Sequence, residues 1–264
     1  MNILDKIIAT KKVEVEQQKK SVSIAELKDS PFFSRTCNSL KASLLKPGSS
    51  GIIAEFKQKS PSKGIINSTV KVEEVTKAYA AAGVAGISVL TDFEYFGGTL
   101  ENLVKARETN PETPILRKDF MIDTYQIFEA KAHGADVILL IAACLEKELV
   151  ETLAKEAKTL GMEVLMEVHN AEELEKVNDY VDIVGVNNRN LKTFKMDVET
   201  SVRLSKLIPG GFVKISESGL DKAETIHYLR EKGFKGFLIG ETFMKTENPG
   251  AACRKLITEL KNEI

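Results

Sequence analysis

Residues 137–168 read VILLIAACLEKELVETLAKEAKTLGMEVLMEV. The segment opens on a continuous apolar run, 137–143, too uniformly hydrophobic for a strand with one wet face. It then changes period. Leu149, Val150, Leu153, Ala154, Ala157 and Leu160 recur at helical spacing with Glu and Lys opposite them, which predicts an amphipathic helix over 147–160. Gly161 follows as a helix stop, and a second apolar run begins at Glu163. A buried strand, a one-faced helix and another buried strand within 32 residues is a parallel β-α-β unit, because only a sheet covered on both faces needs strands apolar throughout.

The same unit repeats in both directions. Apolar runs rich in Ile, Val and Leu occur at 51–56, 86–91, 115–120, 137–143, 163–168, 182–187, 212–218 and 236–241, and Gly83, Gly134 and Gly233 stand before further runs as Gly161 does. Eight evenly spaced strand-helix units predict an α/β fold closed as a (β/α)8 barrel. An open dinucleotide-binding sheet would carry a glycine-rich fingerprint after its first strand. Here the first strand leads instead into KQKSPSKG at 57–64.

Residues 1–50 contain no such run. Ile3, Leu4, Ile7, Ile8 and Val15 mark one amphipathic helix, 25–28 a short helical turn, and 33–45 another helix. So few residues rarely sustain a core alone. We therefore expect one domain, 1–264, with 1–50 as a helical cap on the barrel. With 37 basic and 38 acidic residues the chain has no excess that would suit a polyanion, so neither nucleic acid nor membrane is expected as a partner. The longest apolar stretch, 137–145, is too short to span a bilayer, and the start of the chain lacks a signal-peptide layout. Three scattered cysteines indicate neither a disulfide framework nor a metal site, which points to the cytoplasm.

Barrel enzymes carry their chemistry at the C-terminal ends of the strands. Those ends read Glu55-Phe-Lys57, Lys118-Asp-Phe120, Glu167, Asn187-Asn-Arg189, Glu217-Ser218-Gly219 and Gly240-Glu241. Period-two alternation puts Glu55 and Lys57 on the face of Ile53, Lys118 with Leu116 and Phe120, Glu167 with Leu165, Asn187 with Ile183, and Glu217 with Ile215. If these faces point inward, lysines, glutamates and an asparagine share one mouth, where mutual pKa shifts suit acid-base work. Gly219 and Gly240, with Ser60 from the loop after the first strand, are candidates for a phosphate site. His133, His169 and His227 are scattered and form no catalytic or metal spacing; His169 reads as the start of a loop, Cys144 as core, and Lys63 as part of a solvated face.

In that order, IIAEFKQKSPS at 52–62, LRKDF at 116–120, MEVH at 166–169, GVNNRNL at 185–191, SESG at 216–219 and LIGE at 238–241 resemble the indole-3-glycerol-phosphate synthases. The resemblance spans 52 to about 244, and the N-terminal helices are similar to that family's cap. It implies ring closure of 1-(2-carboxyphenylamino)-1-deoxyribulose 5-phosphate, with loss of carbon dioxide and water, in tryptophan biosynthesis. It implies no cofactor and no metal, a small sugar-phosphate substrate, and a monomer or weak dimer. By the same resemblance Lys118 is the general acid, Lys57 pairs with the departing carboxylate, Glu167 is the opposing acid/base group, and Glu55 and Asn187 orient them. Phe96, Phe120 and Leu191 would wall the aromatic ring, and Ser60, Gly219, Gly240 and Glu241 would take the phosphate. Arg189, Glu217 and Ser218 complete the expected binding set. Glu241 departs from the serine of many relatives, so its carboxylate must turn away from the phosphate. A catalytically inactive or different sugar-phosphate-binding barrel is the alternative; the isomerase of the same pathway would bring a cysteine near the first strand, and none is there.

Overall fold

The computed structural model describes residues 3–191 and 193–262. Met1, Asn2, Lys192, Glu263 and Ile264 lie outside the described residues, and with them the outer ends of the expected 1–264 span. Three helices come first: α1 (Ile3–Ser21), α2 (Ile24–Lys28) and α3 (Leu40–Leu45). Strand β1 (Ile52–Phe56) then opens the barrel, followed by a small hairpin, β2 (Lys59–Ser60) and β3 (Gly64–Ile65), and by helix α4 (Val72–Ala82). The alternation continues with β4 (Gly86–Leu90), α5 (Phe93–Phe96), α6 (Leu100–Thr109), β5 (Ile115–Lys118), α7 (Tyr125–Ala132), β6 (Val137–Ile141), α8 (Lys147–Thr159) and β7 (Glu163–Val168). A 3-10 turn (Glu172–Lys176) precedes β8 (Ile183–Asn187), and α9 (Glu199–Ser205), β9 (Val213–Glu217), α10 (Ala223–Glu231), β10 (Gly236–Ile239), α11 (Glu241–Met244) and α12 (Pro249–Asn262) complete the chain.

Eight parallel strands close in the order β1-β10-β9-β8-β7-β6-β5-β4. Each of the eight apolar runs contains one of them, and the reason for their uniform apolarity is plain in the burial. Ile52, Ala54, Phe56, Ile87, Val89, Ile138, Leu140, Val164 and Met166 face the surrounding helices. The alternate residues Ile53, Leu116, Val137, Leu139, Leu165, Ile183, Ile215 and Leu238 fill the barrel interior. Helix α8 presents Val150, Leu153, Ala154 and Ala157 to the barrel, as its period predicted. Helix α4 stops at Gly83, whose φ of 87° is left-handed and favours glycine.

The expected helix over 33–45 is corrected: only Leu40–Leu45 is α-helical. The preceding residues are drawn onto Asp136 instead, through Arg35 Nη2 at 2.6 Å and Asn38 N at 2.8 Å. Ser39 then caps α3, its Oγ accepting from Ala42 N at 2.9 Å. Leu40 and Leu44 of α3 enter the barrel-interior cluster, so α3 plugs the N-terminal end of the barrel. Gly86 leaves room for the plug: a Cβ there would lie 2.5 Å from Leu40 Cδ1. The hairpin β2–β3 gave no strand pattern in the sequence; it folds the segment after β1 back on itself, pairing Ser60 with Gly64.

Leu44→Ala should lower the unfolding free energy by about 2–5 kcal/mol, the cost of a buried leucine and its cavity. Urea unfolding would measure it. The mouth at the opposite end of the barrel should keep its geometry.

Candidate active site

The C-terminal ends of the strands enclose a cavity of about 310 Å³. Lys57, Lys118, Glu55, Glu167, Asn187, Ser60, Phe96, Phe120, Arg189, Leu191, Glu217, Ser218, Gly219, Gly240 and Glu241 all line it, so the structure gathers every one of the expected site residues. The strand register does this. Glu55 pairs with Ser88, Glu167 with Gly185 and Asn187 with Glu217, so inward-facing positions fall in layers around the axis.

Lys118 stands at the centre. Its Nζ lies 2.5 Å from Glu217 Oε2 and 3.4 Å from Glu167 Oε2. Lys57 Nζ lies 3.0 Å from Glu55 Oε1, and Ser88 Oγ donates to Glu55 Oε2 at 3.2 Å. Asn187 Nδ2 donates to Glu167 Oε1 at 3.0 Å. Burial by itself would drive the Lys118 ammonium toward neutrality, but Glu217, Glu167 and Glu55 outweigh it and hold its pKa above the ordinary value. Burial likewise opposes the charges of Glu55 and Glu167; Lys57 and Lys118 overcome it for Glu55, and Lys118, His169 and Asn187 for Glu167, and both carboxyls fall below the usual range. Glu217 moves the other way. Burial, with Glu167 and Glu55 close by, raises it in spite of Lys118. One site thus holds a protonated lysine, an ionised carboxylate and a carboxyl that takes up a proton easily, a set suited to acid-base catalysis.

Two glycines make this crowding possible. A Cβ on Gly185 would come within 2.5 Å of Glu217 Oε1, and one on Gly240 within 2.6 Å of Glu55 Oε1. Gly240 therefore has a second use beside the expected phosphate contact.

The cavity has two chemically distinct parts. Phe96 and Phe120 pack with ring centroids 6.0 Å apart beside Leu191 and offer an apolar wall. Elsewhere on the lining, Ser218 and Gly219 are both left-handed, with φ of 70° and 74°, at the turn after β9. Asn188 Nδ2 holds that turn by donating to Ser218 O at 3.0 Å. Ser60 Oγ is buried with no hydrogen-bond partner among the described residues, a hydroxyl available to a ligand. The Glu241 carboxylate is engaged by Arg189 Nη2 at 3.4 Å and Lys63 Nζ at 3.8 Å. Arg189 Nη1 also donates to Ser62 Oγ at 3.0 Å, tying the loop after β8 to the β2–β3 hairpin. Lys63, expected on a solvated face, is exposed yet reaches this cluster.

Several contributors escaped the sequence reading. Ile3, Leu4 and Ile7 of α1 line the cavity, although their spacing showed only that they form a helix face. Lys11 of the same helix is buried between Asp92 and Asp119, 3.0 Å from each, with Glu14 at 2.6 Å. Asp92 caps α5, which carries Phe96, and Asp119 follows Lys118. Arg117, on the outer face of β5, pairs with Asp119 at 3.0 Å and Glu129 at 2.7 Å. His169, read as a loop start, contacts Glu167. Cys144 is half-buried at the edge of the core. Among the described residues no group of three or more His, Cys, Asp or Glu side chains is placed to hold a metal, and no helix is long and apolar enough to cross a membrane.

A family model described as indole-3-glycerol phosphate synthase matches residues 4–256. An indole-3-glycerol phosphate synthase of Bacteroides thetaiotaomicron is 47% identical over 260 residues, covering 98% of this chain and 99% of its own length. One of Salinibacter ruber is 42% identical over 262 residues, covering 99% and 97%. Among solved structures, 3-hexulose-6-phosphate synthase from Salmonella typhimurium matches with a TM-score of 0.65 at 12% identity, covering 81% of this chain and 100% of its own. Tryptophan synthase subunit alpha from Legionella pneumophila matches with a TM-score of 0.63 at 13% identity, covering 86% and 98%. At such identities these two structures establish the barrel fold alone.

Lys11→Met would leave Asp92 and Asp119 buried without their ammonium partner and should cost about 3–5 kcal/mol in urea unfolding, as breaking a buried ion pair does. Burial opposes the charge of Asp119, but Arg117 and Lys11 prevail and bring its pKa from 3.8 to about 2. A carboxylate lowered on folding adds stability above its unfolded value and loses it as pH falls through its folded value. The wild type should therefore lose stability between roughly pH 4 and pH 2, and Asp119→Asn should lack that portion of the loss.

Proposed function

The chain belongs to the indole-3-glycerol phosphate synthase family, decarboxylating lyases of tryptophan biosynthesis, and we propose that the mouth of its barrel closes the indole ring of 1-(2-carboxyphenylamino)-1-deoxyribulose 5-phosphate with the residues described above. The observation that carries this reading is the buried Lys118 ammonium among Glu217, Glu167 and Glu55 beside the Phe96–Phe120 wall. The aromatic ring of the substrate lies against Phe96, Phe120 and Leu191, and its phosphate meets Ser60 and the backbone at Gly219, Gly240 and Glu241. This places the ketone between the two lysines.

The ring carbon bearing the carboxylate attacks the ketone carbon, forming the new carbon-carbon bond. Lys118 donates its proton to the ketone oxygen as the bond forms, so that no free alkoxide accumulates. The bond to the carboxylate then breaks, carbon dioxide leaves, and its electron pair restores the aromatic ring. Lys57 neutralises the carboxylate before it departs and assists the next step as an acid. In that step the new hydroxyl leaves as water while Glu167 removes a proton from the methylene carbon beside the ring nitrogen, and the carbon-carbon double bond so formed gives indole-3-glycerol phosphate. Glu55 orients Lys57, Asn187 orients Glu167, and Glu217 holds Lys118 until the substrate arrives. Arg189 and Ser218 bind the substrate from the rim. Glu241, drawn to Arg189 and Lys63, keeps its carboxylate occupied by cations. The reading also takes residues 1–50 as a cap of one domain, a monomer or weak dimer, and the cytoplasm as compartment; α1 lining the cavity and three free cysteines support the first and last of these. No finding favours an inactive or different sugar-phosphate barrel.

With no added metal, the purified protein should turn this substrate into a product with indole fluorescence. Lys118→Ala should lose at least about 100-fold in kcat, within the usual worth of a general acid. Turnover that survives the substitution would remove Lys118 as the acid, and a folded wild type without turnover would overturn the activity.

A further inference from the structure

Glu167 has two carboxylate oxygens, and the structure treats them differently. Oε2 faces Lys118 Nζ at 3.4 Å. Oε1 accepts from Asn187 Nδ2 at 3.0 Å and lies 3.2 Å from His169 Nε2. His169 itself does not line the cavity; it stands behind Glu167, just past the end of β7. On its other side, His169 Nδ1 lies 3.2 Å from Glu173 Oε2. Glu173 is fixed in turn. Its Oε2 accepts from His169 N at 2.7 Å, its Oε1 accepts from Asn170 Nδ2 at 3.0 Å, and its own N–H donates to Asn170 Oδ1 at 2.9 Å.

We propose that His169, clamped by Glu173, is a positioning residue that pins Oε1 of Glu167 and leaves Oε2 as the oxygen that exchanges protons with the substrate. The argument is first one of donors and acceptors. A neutral imidazole has one acceptor nitrogen, and an ionised carboxylate only accepts. Both ring nitrogens of His169 lie 3.2 Å from a carboxylate oxygen, Nδ1 in a hydrogen bond with Glu173 and Nε2 in an ion-pair contact with Glu167 that falls short of hydrogen-bond geometry, and two carboxylates facing one ring favour the imidazolium. The charges then alternate along one line: Glu173, His169, Glu167, Lys118. A carboxylate held at Oε1 by a cation and an amide is kept from closing further on Lys118, whose Nζ donates to Oε2 at a long 3.4 Å and to Glu217 at 2.5 Å. The other titratable groups at this spot do not compete. Cys144 is a neutral thiol, pushed up to about 12 by burial and by Glu167, and Lys176 is turned to the carbonyl oxygens of Ala142 and Leu145. Burial disfavours the imidazolium, yet Glu167 and Glu173 together raise the ring from 6.5 to about 10.

This proposal rests on Glu167 being the acid/base group, and the experiment separates the two. His169→Gln, Glu173→Gln and Glu167→Gln are assayed at neutral pH beside the wild type. His169→Gln should lose at least about tenfold in kcat, part of what acid/base catalysis contributes, with KM within about twofold, since no group touching the substrate has changed. Glu173→Gln should shift kcat in the same direction by less. Glu167→Gln with undiminished kcat would overturn both readings; a crippled Glu167→Gln beside a His169→Gln of wild-type kcat would overturn this one alone. Ring NMR of the unaltered enzyme gives a readout that needs no variant to fold. The protein has three histidines, and the ring of His169 should stay doubly protonated from about pH 6 to 9, where an ordinary imidazole titrates. A His169 ring that loses its proton near 6.5 would overturn the proposal.

Discussion

A lysine ammonium buried among three carboxylates is the constraint around which the barrel mouth is organised. Isolated charges inside a protein are prohibitively unfavourable, and even paired ones are costly unless every partner is in place. Lys118 satisfies that condition only because Glu217, Glu167 and Glu55 arrive from three other strands, with Lys57 on a fourth side to balance Glu55. The layer beneath them, Leu139, Leu165, Ile215 and Leu238, is buried and apolar and offers these charges no polar partner from below. Gly185 and Gly240 follow from the same demand: at those positions the space a side chain would take is already filled by the carboxylates of Glu217 and Glu55.

The residues before the first barrel strand serve both ends of the barrel. Helix α3 drives Leu40 and Leu44 into the N-terminal end and anchors there through Ser39 and Lys41 N on Glu163. Helix α1 lies at the opposite end, with Ile3, Leu4 and Ile7 on the cavity and Lys11 sunk between Asp92 and Asp119. One ammonium thus ties this helix to the loops after β4 and β5, the loops that carry Phe96 and follow Lys118. Packing at one end and charge at the other hold the same extension, and the second mode sets Ile3, Leu4 and Ile7 against the cavity.

Charge pairing also sets the rim. Arg189 and Lys63 engage the Glu241 carboxylate, and Arg189 reaches across to Ser62 on the β2–β3 hairpin. Nearby on the lining, the turn at the left-handed Ser218 and Gly219 and the buried Ser60 hydroxyl without a partner are uncharged. Farther in, the alternation of Glu173, His169, Glu167 and Lys118 extends two residues behind the cavity lining.

The sequence by itself determined the barrel, because strands buried on both faces must be apolar at every position and helices packed on one face must repeat at 3.6 residues. It also determined which strand-end residues share a face, since period-two alternation relates Glu55 to Ile53, Lys118 to Leu116 and Glu217 to Ile215 whatever the surrounding fold; that this face is the barrel interior came from closure. Local chemistry misled it where a distant partner intervened: 33–39 has the makings of a helix, but Asp136, a hundred residues away, takes its donors. His169 and Lys11 are a loop residue and one basic residue among many on a polar helix face until closure of the barrel brings Glu167, Glu173, Asp92 and Asp119 against them. The direction of each pKa shift belongs to the tertiary structure for the same reason. Charge interactions and burial depend on distance in space, and only the closed barrel sets those distances.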